Sequence, residues 1–430
     1  MSLSQPSDGI EQCHVEWTDL ERVLQKSLHT NATFGAKKIS TNVGLGVGFN
    51  SRICLIEPDW VDSKDGDNLS DRFILKISSQ LAMKEYSDLQ AQIKGEEAAF
   101  KITDVELKMM EPAVKMLHNV ECFMYDKITA ANNGLIIPQI FGKQSFSPEN
   151  QLKGFIAMEQ MTDLENVMIH QNVTAKEMEQ PLRNLAKLQA IGETFNDEER
   201  KHVHNNVFTN YYQYIFSVPM VTALSQAISK GGRDHLKAKA DKMISLIPEY
   251  CSPEGYAKHD KLHETLGIKP TLCHGDFREI DANEDHDFPM CNFGCVAFDL
   301  ARVFSAGMDP KERQQNTVEL LETYHRILTE ELKGQNIPYT VDQLKTSYEL
   351  AFPLAMMMIL PTLIPLVDGM GADVPKEIVD RVVGKVEALL DDLLYYHEKN
   401  SKRAAKIPAT IEKKHSVDRD EEYIEASIVH

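Results

Sequence analysis

The segment from Asn42 to Ser51 reads NVGLGVGFNS and lies between two short segments typical of β-strands. Gly44, Gly46 and Gly48 occupy alternate positions in it. A glycine lets backbone amides approach an anion closely because no Cβ stands in the way. The segment lacks the following helix of a dinucleotide-binding fingerprint and the Gly-Lys-Ser/Thr of a P-loop. An ordinary glycine-rich hairpin fits equally well, so residues elsewhere must decide what this segment does.

The charge balance of the chain limits its partners. The 430 residues include 65 acidic and 46 basic side chains, which gives a formal net charge of −19. Such a surface repels phosphate backbones and anionic lipid headgroups, so the composition predicts neither a nucleic-acid partner nor a membrane-surface partner. Hydrophobic residues make up 42% of the chain, as expected of a globular protein with a packed core.

Cysteine usage and the N-terminus indicate the compartment. Seven cysteines in 430 residues are sparse and odd in number, which disfavours a disulfide-stabilised scaffold. The first residues lack a basic start followed by an apolar run, so no signal peptide is predicted. The most apolar stretch, Ala351 to Val367, is short for a membrane span and contains prolines, which predicts a buried core helix broken at those prolines. The expected location is cytoplasmic.

The character of the chain changes near residue 160. Before it, segments typical of strands are Lys37 to Thr41, Ser51 to Ile56, Phe73 to Ile77 and Phe155 to Met158. After it, helical spacing of apolar residues is found in Pro181 to Ile191, Val318 to Leu332 and Ile378 to Tyr396. The sequence therefore predicts an α+β protein with a β-rich N-terminal lobe (residues 1–160), a larger helical C-terminal lobe (161–400) and a flexible polar tail (401–430).

A single lysine lies inside an apolar strand. The segment RFILKIS surrounds Lys76 with apolar residues. Such a lysine either extends to the surface along its aliphatic stem or pairs with an anion in a cleft. The helical segment Lys108 to Tyr125 offers Glu121 as a partner, with Glu111 as the competing choice. A strand lysine paired with a helix glutamate is the arrangement that binds ATP phosphates in kinases.

Residues that could carry chemistry follow Cys273. The sequence CHGD places Asp276 where it could accept a proton from a substrate hydroxyl, while His274 could order the loop by hydrogen bonding. A surface turn is the alternative, since Gly-Asp is common in turns. Asp287 could bind a Mg²⁺ ion that bridges phosphates, and Asp299 could cap a helix or brace the loop. Cysteine and histidine are frequent in this region, but their spacings disfavour a zinc site.

Taken in order, these segments resemble the CHK kinase-like, ecdysteroid-kinase-like family, which is related to aminoglycoside phosphotransferases and choline kinases. Each segment is short, but their joint order is specific, and they span about residues 10 to 400. The matching segments are VGLGVGFNSRICLIEPDW (Val43 to Trp60), RFILKISSQLA (Arg72 to Ala82), HNVECFMY (His118 to Tyr125), GFIAMEQM (Gly154 to Met161), LAKLQA (Leu185 to Ala190), LCHGDF (Leu272 to Phe277) and FGCVAFDLARVF (Phe293 to Phe304).

The resemblance implies a protein-kinase-like bilobal fold with ATP between the lobes. It also implies an ATP- and Mg²⁺-dependent phosphotransferase that acts on a hydroxyl of a small molecule, such as an ecdysteroid, choline or an amino alcohol. By position, glycines would cover the phosphates, a lysine anchored by a glutamate would hold them, and backbone after the last strand would meet adenine. The residues in these nucleotide-binding positions are Gly44, Gly46, Gly48, Lys76, Glu121, Glu159 and Met161.

The resemblance also implies that Asp276 is the catalytic base, with His274 beside it, and that Asp287 binds the metal. The segment between these aspartates departs from the family pattern. The family has an asparagine five positions after the base, where this chain has Asp281, and the nearest asparagine is Asn283. Only ten residues separate the base from Asp287, and a hairpin alone needs about eight, so a catalytic loop and a hairpin cannot both fit.

Three explanations fit this short segment. Asp281 or Asn283 could reach Mg²⁺ from a rebuilt loop, since carboxylate and amide oxygens are both suitable ligands. The protein could instead be a catalytically inactive pseudokinase that acts as a nucleotide-binding or scaffold module. The sequence could also derive from a transcript or gene model that lacks a segment. Active phosphotransfer is the first expectation, and the pseudokinase is the alternative.

Overall fold

The computed structural model of the protein describes residues 1–44, 50–64, 66–94, 102–162, 170–277, 287–369 and 374–405. The strands are β1 (Thr33–Phe34), β2 (Ile39–Asn42), β3 (Ser51–Glu57), β4 (Trp60–Val61), β5 (Phe73–Ser78), β6 (Ile140–Gln144), β7 (Phe155–Met158), β8 (Thr271–Cys273) and β9 (Asn292–Gly294). The helices up to the middle of the chain are α1 (Trp17–Leu28), α2 (Leu81–Lys94), α3 (Asp104–Ala131), α4 (Glu179–Gly192), α5 (Asp197–Arg200), α6 (Gln213–Ile215) and α7 (Val218–Ser225). The later helices are α8 (Lys237–Tyr250), α9 (Pro253–Asp260), α10 (Leu262–Thr265), α11 (Ala297–Gly307), α12 (Pro310–Glu331), α13 (Val341–Gly369) and α14 (Lys376–Ala404). Short 3₁₀ turns span Ile10–Gln12 and Asp234–Leu236, and a π-helical turn spans Phe208–Tyr212.

An antiparallel five-stranded sheet forms the centre of the N-terminal lobe, in the order β2-β3-β5-β7-β6. Residues of β3 alternate between half-buried and buried, as expected of a strand with one face on a core. β5 is almost entirely buried because it lies in the middle of the sheet. Lys76 in β5 is paired with Ile53 on one side and Ile156 on the other. The predicted strands are therefore present, each within two residues of its predicted bounds.

Helix α3 packs against this sheet, and its ends show why it forms where it does. At its N-terminus, Thr103 and Glu106 exchange hydrogen bonds in a capping box. At its C-terminus, Asn132 adopts a left-handed conformation with φ 43°. Its buried residues recur at helical spacing, so one face of the helix is turned toward the sheet. His118 and Glu121 both lie on this buried face.

The C-terminal lobe is helical, and its core is formed by α11, α12, α13 and α14 together with the shorter helices that precede them. The predicted fold class, an α+β protein with a β-rich N-terminal lobe and a larger helical C-terminal lobe, is confirmed. α14 continues to Ala404, beyond residue 400 where the sequence predicts the tail to begin. Residues 406–430 of that predicted tail lie outside the described residues.

Helix α13 corrects one prediction. The sequence predicts a helix broken at its prolines, but α13 is continuous through Pro353 and Pro361. Its residues there are buried among the neighbouring helices, so packing outweighs the local preference of proline for a break. Among the described residues, Val341–Ile364 is the segment long and apolar enough to cross a membrane, and 83% of its apolar window is buried inside the protein. This burial fits the predicted core helix.

All seven cysteines lie in the described part of the chain and are free thiols. Six are buried and Cys295 is half-buried. Burial raises the pKa of these thiols, to about 11 for Cys13 and to about 12 for Cys54, Cys122 and Cys251. The thiols therefore remain protonated near neutral pH.

We predict that protonation of His118 contributes to acid unfolding. Burial is the main reason why the pKa of His118 lies near 4 in the folded protein, below the ordinary value of 6.5. Because the unfolded state binds more protons between these values, stability is lost as pH falls from 6.5 to 4, by up to about 3 kcal/mol. Urea unfolding at several pH values in this range should show a flatter pH dependence for His118→Gln than for the wild type. The exposed His235→Gln is the control, and an equal change in both variants would contradict the assignment to His118.

Candidate active site

Lys76 lies between two carboxylates from distant parts of the chain. Its Nζ donates to Glu121 Oε1 at 2.8 Å and to Asp287 Oδ2 at 2.5 Å. The side chains of Lys76 and Glu121 are 9% and 2% exposed, whereas that of Asp287 is 43% exposed. We call these three residues the lysine–carboxylate cluster. It joins β5, helix α3 and the segment that precedes β9.

Charges in the lysine–carboxylate cluster are strongly coupled. Burial alone would lower the pKa of Lys76, but the carboxylates of Asp287 and Glu121 raise it above its ordinary value. Burial, with Asp287 adding to it, raises the pKa of Glu121 against the opposing effect of Lys76. Burial opposes ionisation of Asp287 as well, but the ammonium group lowers the pKa of this carboxyl below its ordinary value. Because burial raises its pKa to about 8, the Glu121 carboxyl is largely protonated near neutral pH, and the Lys76 ammonium and the Asp287 carboxylate are the charged groups of the cluster.

The competing partner of Lys76 lies elsewhere. Glu111 pairs with Lys115 at 2.7 Å and accepts a hydrogen bond from the backbone N–H of Leu3 at 3.3 Å. Of the two glutamates that the sequence offers, Glu121 is therefore the one in contact with Lys76. Its role as the anchor of a phosphate-binding lysine stays a prediction.

The HGD segment, His274 to Asp276, directly follows strand β8 and is held by helix α11. The carboxylate of Asp299 accepts hydrogen bonds from the backbone N–H groups of His274 at 2.8 Å and Gly275 at 2.9 Å. Of the two roles considered for Asp299, the structure shows the brace, because the residue preceding the helix is Val296. Burial raises the pKa of Asp299 to about 7, although the two N–H donors act in the opposite direction. The brace fixes the backbone on which Asp276 is carried.

Sequence reasoning missed Arg302, which contacts the predicted base. Its Nη2 donates to Asp276 Oδ1 at 2.6 Å, and its side chain is only 3% exposed. Arg302 follows Asp299 by three positions, so both side chains lie on one face of α11 and both face the HGD segment. The signal was present in the DLAR sequence, as an acidic and a basic residue at helical spacing in an apolar helix. The guanidinium group fixes the position of the Asp276 carboxylate.

His274 links the HGD segment to the residue that follows Asp287. Its ring lies 5.6 Å from the ring of Phe288, which follows Asp287, and 5.4 Å from that of Phe277. Its Nδ1 accepts a hydrogen bond from the backbone N–H of Asp276 at 3.4 Å. This contact agrees with the predicted ordering of the loop by hydrogen bonding.

Three of the remaining predicted nucleotide-binding residues, Gly44, Glu159 and Met161, follow the C-terminal ends of strands of the sheet. Gly44 continues the pairing of β2 with β3, since its N–H donates to Ile53 O at 3.2 Å. Glu159 follows β7 and its N–H donates to Gln139 O at 2.8 Å, with Met161 two residues further on. The other predicted residues, Gly46, Gly48, Asp281 and Asn283, lie outside the described residues.

Strand pairing encloses the short segment between the two aspartates. β8 pairs with β9 in an antiparallel manner, with Cys273 opposite Asn292. The HGD segment therefore leaves one strand, and Asp287 precedes the other. Among the described residues, one of these paired strands ends before Asp276 and the other begins after Asp287. This pairing uses no residue of the segment from 277 to 286.

Among the described residues, Asp287 is the candidate ligand for a metal ion. In the described ranges, no group of three or more His, Cys, Asp or Glu side chains is arranged to hold a metal ion. Asp287 offers a partly exposed carboxylate, and although burial opposes its ionisation, the Lys76 ammonium group keeps its pKa below the ordinary value. Mg²⁺ commonly takes one or two carboxylates and completes its shell with water and phosphate oxygens, so the site fits this ion with Asp287 as a protein ligand.

A family model described as DUF1679, "Uncharacterized oxidoreductase dhs-27", matches residues 3–401 of the chain. The chain belongs to this family. The description names an oxidoreductase, but the described five-stranded sheet is antiparallel, whereas the Rossmann fold that binds dinucleotides has a mostly parallel sheet. This DUF1679 member combines an antiparallel sheet, a buried strand lysine and a helix glutamate, which is a kinase-like arrangement.

The DUF1679 chain is also similar to a curated relative from Caenorhabditis elegans, "Uncharacterized kinase-like protein D1044.1". The two are 28% identical over 124 residues. This match covers 27% of the chain and 32% of the relative, so the chain spans about a third of that protein.

Solved structures similar to the chain include proteins named as small-molecule kinases and phosphotransferases. Choline kinase from Cryptosporidium parvum Iowa II is 12% identical, with a TM-score of 0.45 over 86% of this chain and 90% of that one. Plasmodium vivax ethanolamine kinase is 11% identical, with a TM-score of 0.35 over 82% of each chain. The GDP complex of aminoglycoside 2'-phosphotransferase-IIIa is 12% identical, with a TM-score of 0.35 over 88% and 99% of the two chains. The roles of individual residues depend on the contacts described above, not on these similarities.

We predict that Gly275 is required by its surroundings as well as by its backbone conformation. Gly275 and Gly334 have φ values of +86° and +88°, so alanine is strained at both positions. A Cβ on Gly275 would lie 2.2 Å from Met290 O, whereas one on Gly334 would have no atom within 4 Å. Gly334→Ala should lower the free energy of unfolding by about 1 kcal/mol. Gly275→Ala should cost about 1–3 kcal/mol more, measured by urea unfolding, and equal losses would contradict the close approach.

Proposed function

We propose that this protein is an ATP-dependent phosphotransferase that acts on a hydroxyl group of a small molecule. The observation that carries this proposal is the position of Lys76, which is buried between Glu121 and Asp287. A lysine held in this way is poised to bind phosphate groups, and the neighbouring Asp287 is poised to bind a metal ion. The resemblance of the sequence to CHK kinase-like, ecdysteroid-kinase-like proteins supports the same activity.

Each residue contributes positioning or charge. Lys76 would bind the phosphates while Glu121 keeps its ammonium group in place. Asp287 would hold Mg²⁺, with Asp281 or Asn283 as a second ligand, and the bound ion would neutralise negative charge on the phosphates. The glycine-rich segment would cover the phosphates, and the backbone from Glu159 to Met161 would contact adenine. Most of the catalysis in such a reaction comes from positioning and electrostatic stabilisation.

Asp276 would orient the acceptor hydroxyl and remove its proton. Its carboxylate is 32% exposed, so a substrate can reach it, while Arg302 holds one oxygen. The brace from Asp299 and the contact of His274 with Phe288 keep this carboxylate in place relative to Asp287. The acceptor class would be an ecdysteroid-, choline- or amino-alcohol-like molecule, and the expected location of the enzyme is the cytoplasm.

A pseudokinase is the second candidate function. The short connection between Asp276 and Asp287 favours it, since the asparagine expected after the base is replaced by Asp281. Such a protein would bind nucleotide, or act as a scaffold, without transferring phosphate. Sequencing of the native transcript across residues 277–290 distinguishes a truly short segment from one that is missing in this sequence.

We predict that ATP stabilises the protein only together with Mg²⁺. At a ligand concentration of about one hundred times Kd, binding adds about 2.7 kcal/mol, which corresponds to a rise in Tm of about 3 °C for a chain of this length. Thermal-shift titrations with ATP, with and without Mg²⁺, measure this rise. Lys76→Ala and Asp287→Ala should remove it relative to their own unliganded forms, whereas Lys237→Ala, which alters an exposed pair, should not. A shift that persists in both site variants would contradict the assigned phosphate and metal site.

We further predict that Asp276 is required for turnover. ATP consumption should be measured against steroid, choline-like and amino-alcohol acceptors. Asp276→Asn should lower any observed kcat by about 10²–10⁴-fold, because the acceptor proton loses its base. The exposed Asp241→Asn is the control. Unchanged turnover in Asp276→Asn would show that another group is the base, and metal-dependent ATP binding without turnover in the wild type would favour the pseudokinase.

A further inference from the structure

The π-helical turn Phe208–Tyr212 contacts both the HGD segment and Asn50 of the N-terminal lobe. Such turns are rare and are frequently found at functional sites. Asp260, at the end of α9, anchors the start of the turn. Its carboxylate accepts hydrogen bonds from the backbone N–H groups of Phe208 at 3.1 Å and Thr209 at 3.0 Å, and from the Thr209 hydroxyl at 2.7 Å. The turn therefore has a fixed position in the C-terminal lobe.

The last residue of the turn contacts the HGD segment. The hydroxyl of Tyr212 donates to the backbone carbonyl of Gly275 at 2.6 Å, and Tyr212 is 3% exposed. Gly275 directly precedes Asp276, and its N–H is already bonded to Asp299. Tyr212 and Asp299 therefore hold this glycine through its carbonyl and its N–H, respectively.

The preceding residue of the turn contacts the N-terminal lobe. The Nδ2 of Asn50 donates to the hydroxyl of Tyr211 at 3.1 Å, across 161 positions in the chain. The backbone carbonyl of Asn50 accepts a hydrogen bond from the N–H of Ser79 at 3.1 Å. Ser79 directly follows β5, the strand that carries Lys76. A chain of hydrogen bonds thus leads from the strand of the lysine to Tyr211.

We propose that Tyr211 and Tyr212 are positioning residues that set the strand of Lys76 relative to the loop of Asp276. The two tyrosines are neighbours, their rings lie 5.8 Å apart, and each is bonded to a different lobe. The proposal rests on the proposed phosphotransfer, in which the lysine holds the phosphates and the aspartate holds the acceptor. Transfer requires these groups at a fixed separation, and a misplacement of about 1 Å can cost about a hundredfold in rate.

Amide hydrogen exchange tests the link without requiring activity. In the full-length protein, Tyr212→Phe should speed exchange about five- to tenfold in peptides covering residues 271–277, because one hydrogen bond to that segment is lost. Tyr211→Phe should do the same in peptides covering residues 73–82. Asn50→Ala should match Tyr211→Phe there, and the double variant should be no faster than either single variant, since all three lose the same bond.

A matched control variant distinguishes this local effect from a general loss of stability in the C-terminal lobe. The hydroxyl of Tyr256 donates to the carbonyl of Phe216 at 2.7 Å, a bond of the same type that does not touch the HGD segment. Tyr256→Phe should leave exchange in residues 271–277 within twofold of the wild type. If it accelerates that peptide as much as Tyr212→Phe does, or if Tyr212→Phe has no effect, the positioning role of Tyr212 is wrong.

Kinetics supply the second readout. Where the wild type turns over, Tyr212→Phe should lower kcat about tenfold and leave the KM for ATP within twofold, because the base is displaced and the nucleotide site is intact. Tyr211→Phe should raise the KM for ATP, and the exposed Tyr214→Phe should change neither constant. If Tyr212→Phe changes kcat and the KM for ATP to the same extent, its role is purely structural and the proposal is overturned. If the wild type neither binds ATP nor turns over, the proposed function fails, and the exchange results still decide whether the two tyrosines link the lobes.

Discussion

The ammonium group of Lys76 is buried between two carboxylates, and the arrangement of the N-terminal lobe against the HGD side of the protein depends on this contact. A buried charge without a partner is costly, so strand β5, helix α3 and the segment before β9 are constrained to meet at one point. The capping box fixes where α3 begins, and the neighbouring strands fix the position of β5. Both therefore help to keep Glu121 and Lys76 within hydrogen-bonding distance.

Helix α11 imposes a similar constraint on the other side. It is buried along its whole length, yet it carries Asp299 and Arg302, whose charged groups are both used by the HGD segment. One side chain fixes the backbone and the other fixes the carboxylate of Asp276. Burying a polar or charged side chain is costly, and the hydrogen bonds to His274, Gly275 and Asp276 offset part of this cost.

Local pattern predicted much of this structure. Apolar residues and bounding turns predict the strands around Lys76, and the helical segment that follows predicts Glu121 as the partner of the strand lysine. Contacts between distant segments were harder to predict. In the sequence Arg302 cannot be distinguished from other helical arginines, because its contact with Asp276 is formed only in the fold. Tyr211 and Tyr212 likewise have the sequence pattern of core residues, and only the structure shows that their hydroxyls bond Asn50 and Gly275. Pro353 and Pro361 favour a helix break locally, and only burial among other helices keeps α13 continuous.

The shielding of the thiols has a practical consequence. Because the seven cysteines are buried or half-buried and their pKa values are raised, the native protein offers little thiolate to electrophiles. A cysteine introduced at an exposed position on each lobe would therefore react selectively with a maleimide dye or spin label. Distances between the lobes can thus be measured by fluorescence or electron paramagnetic resonance without first removing the native cysteines.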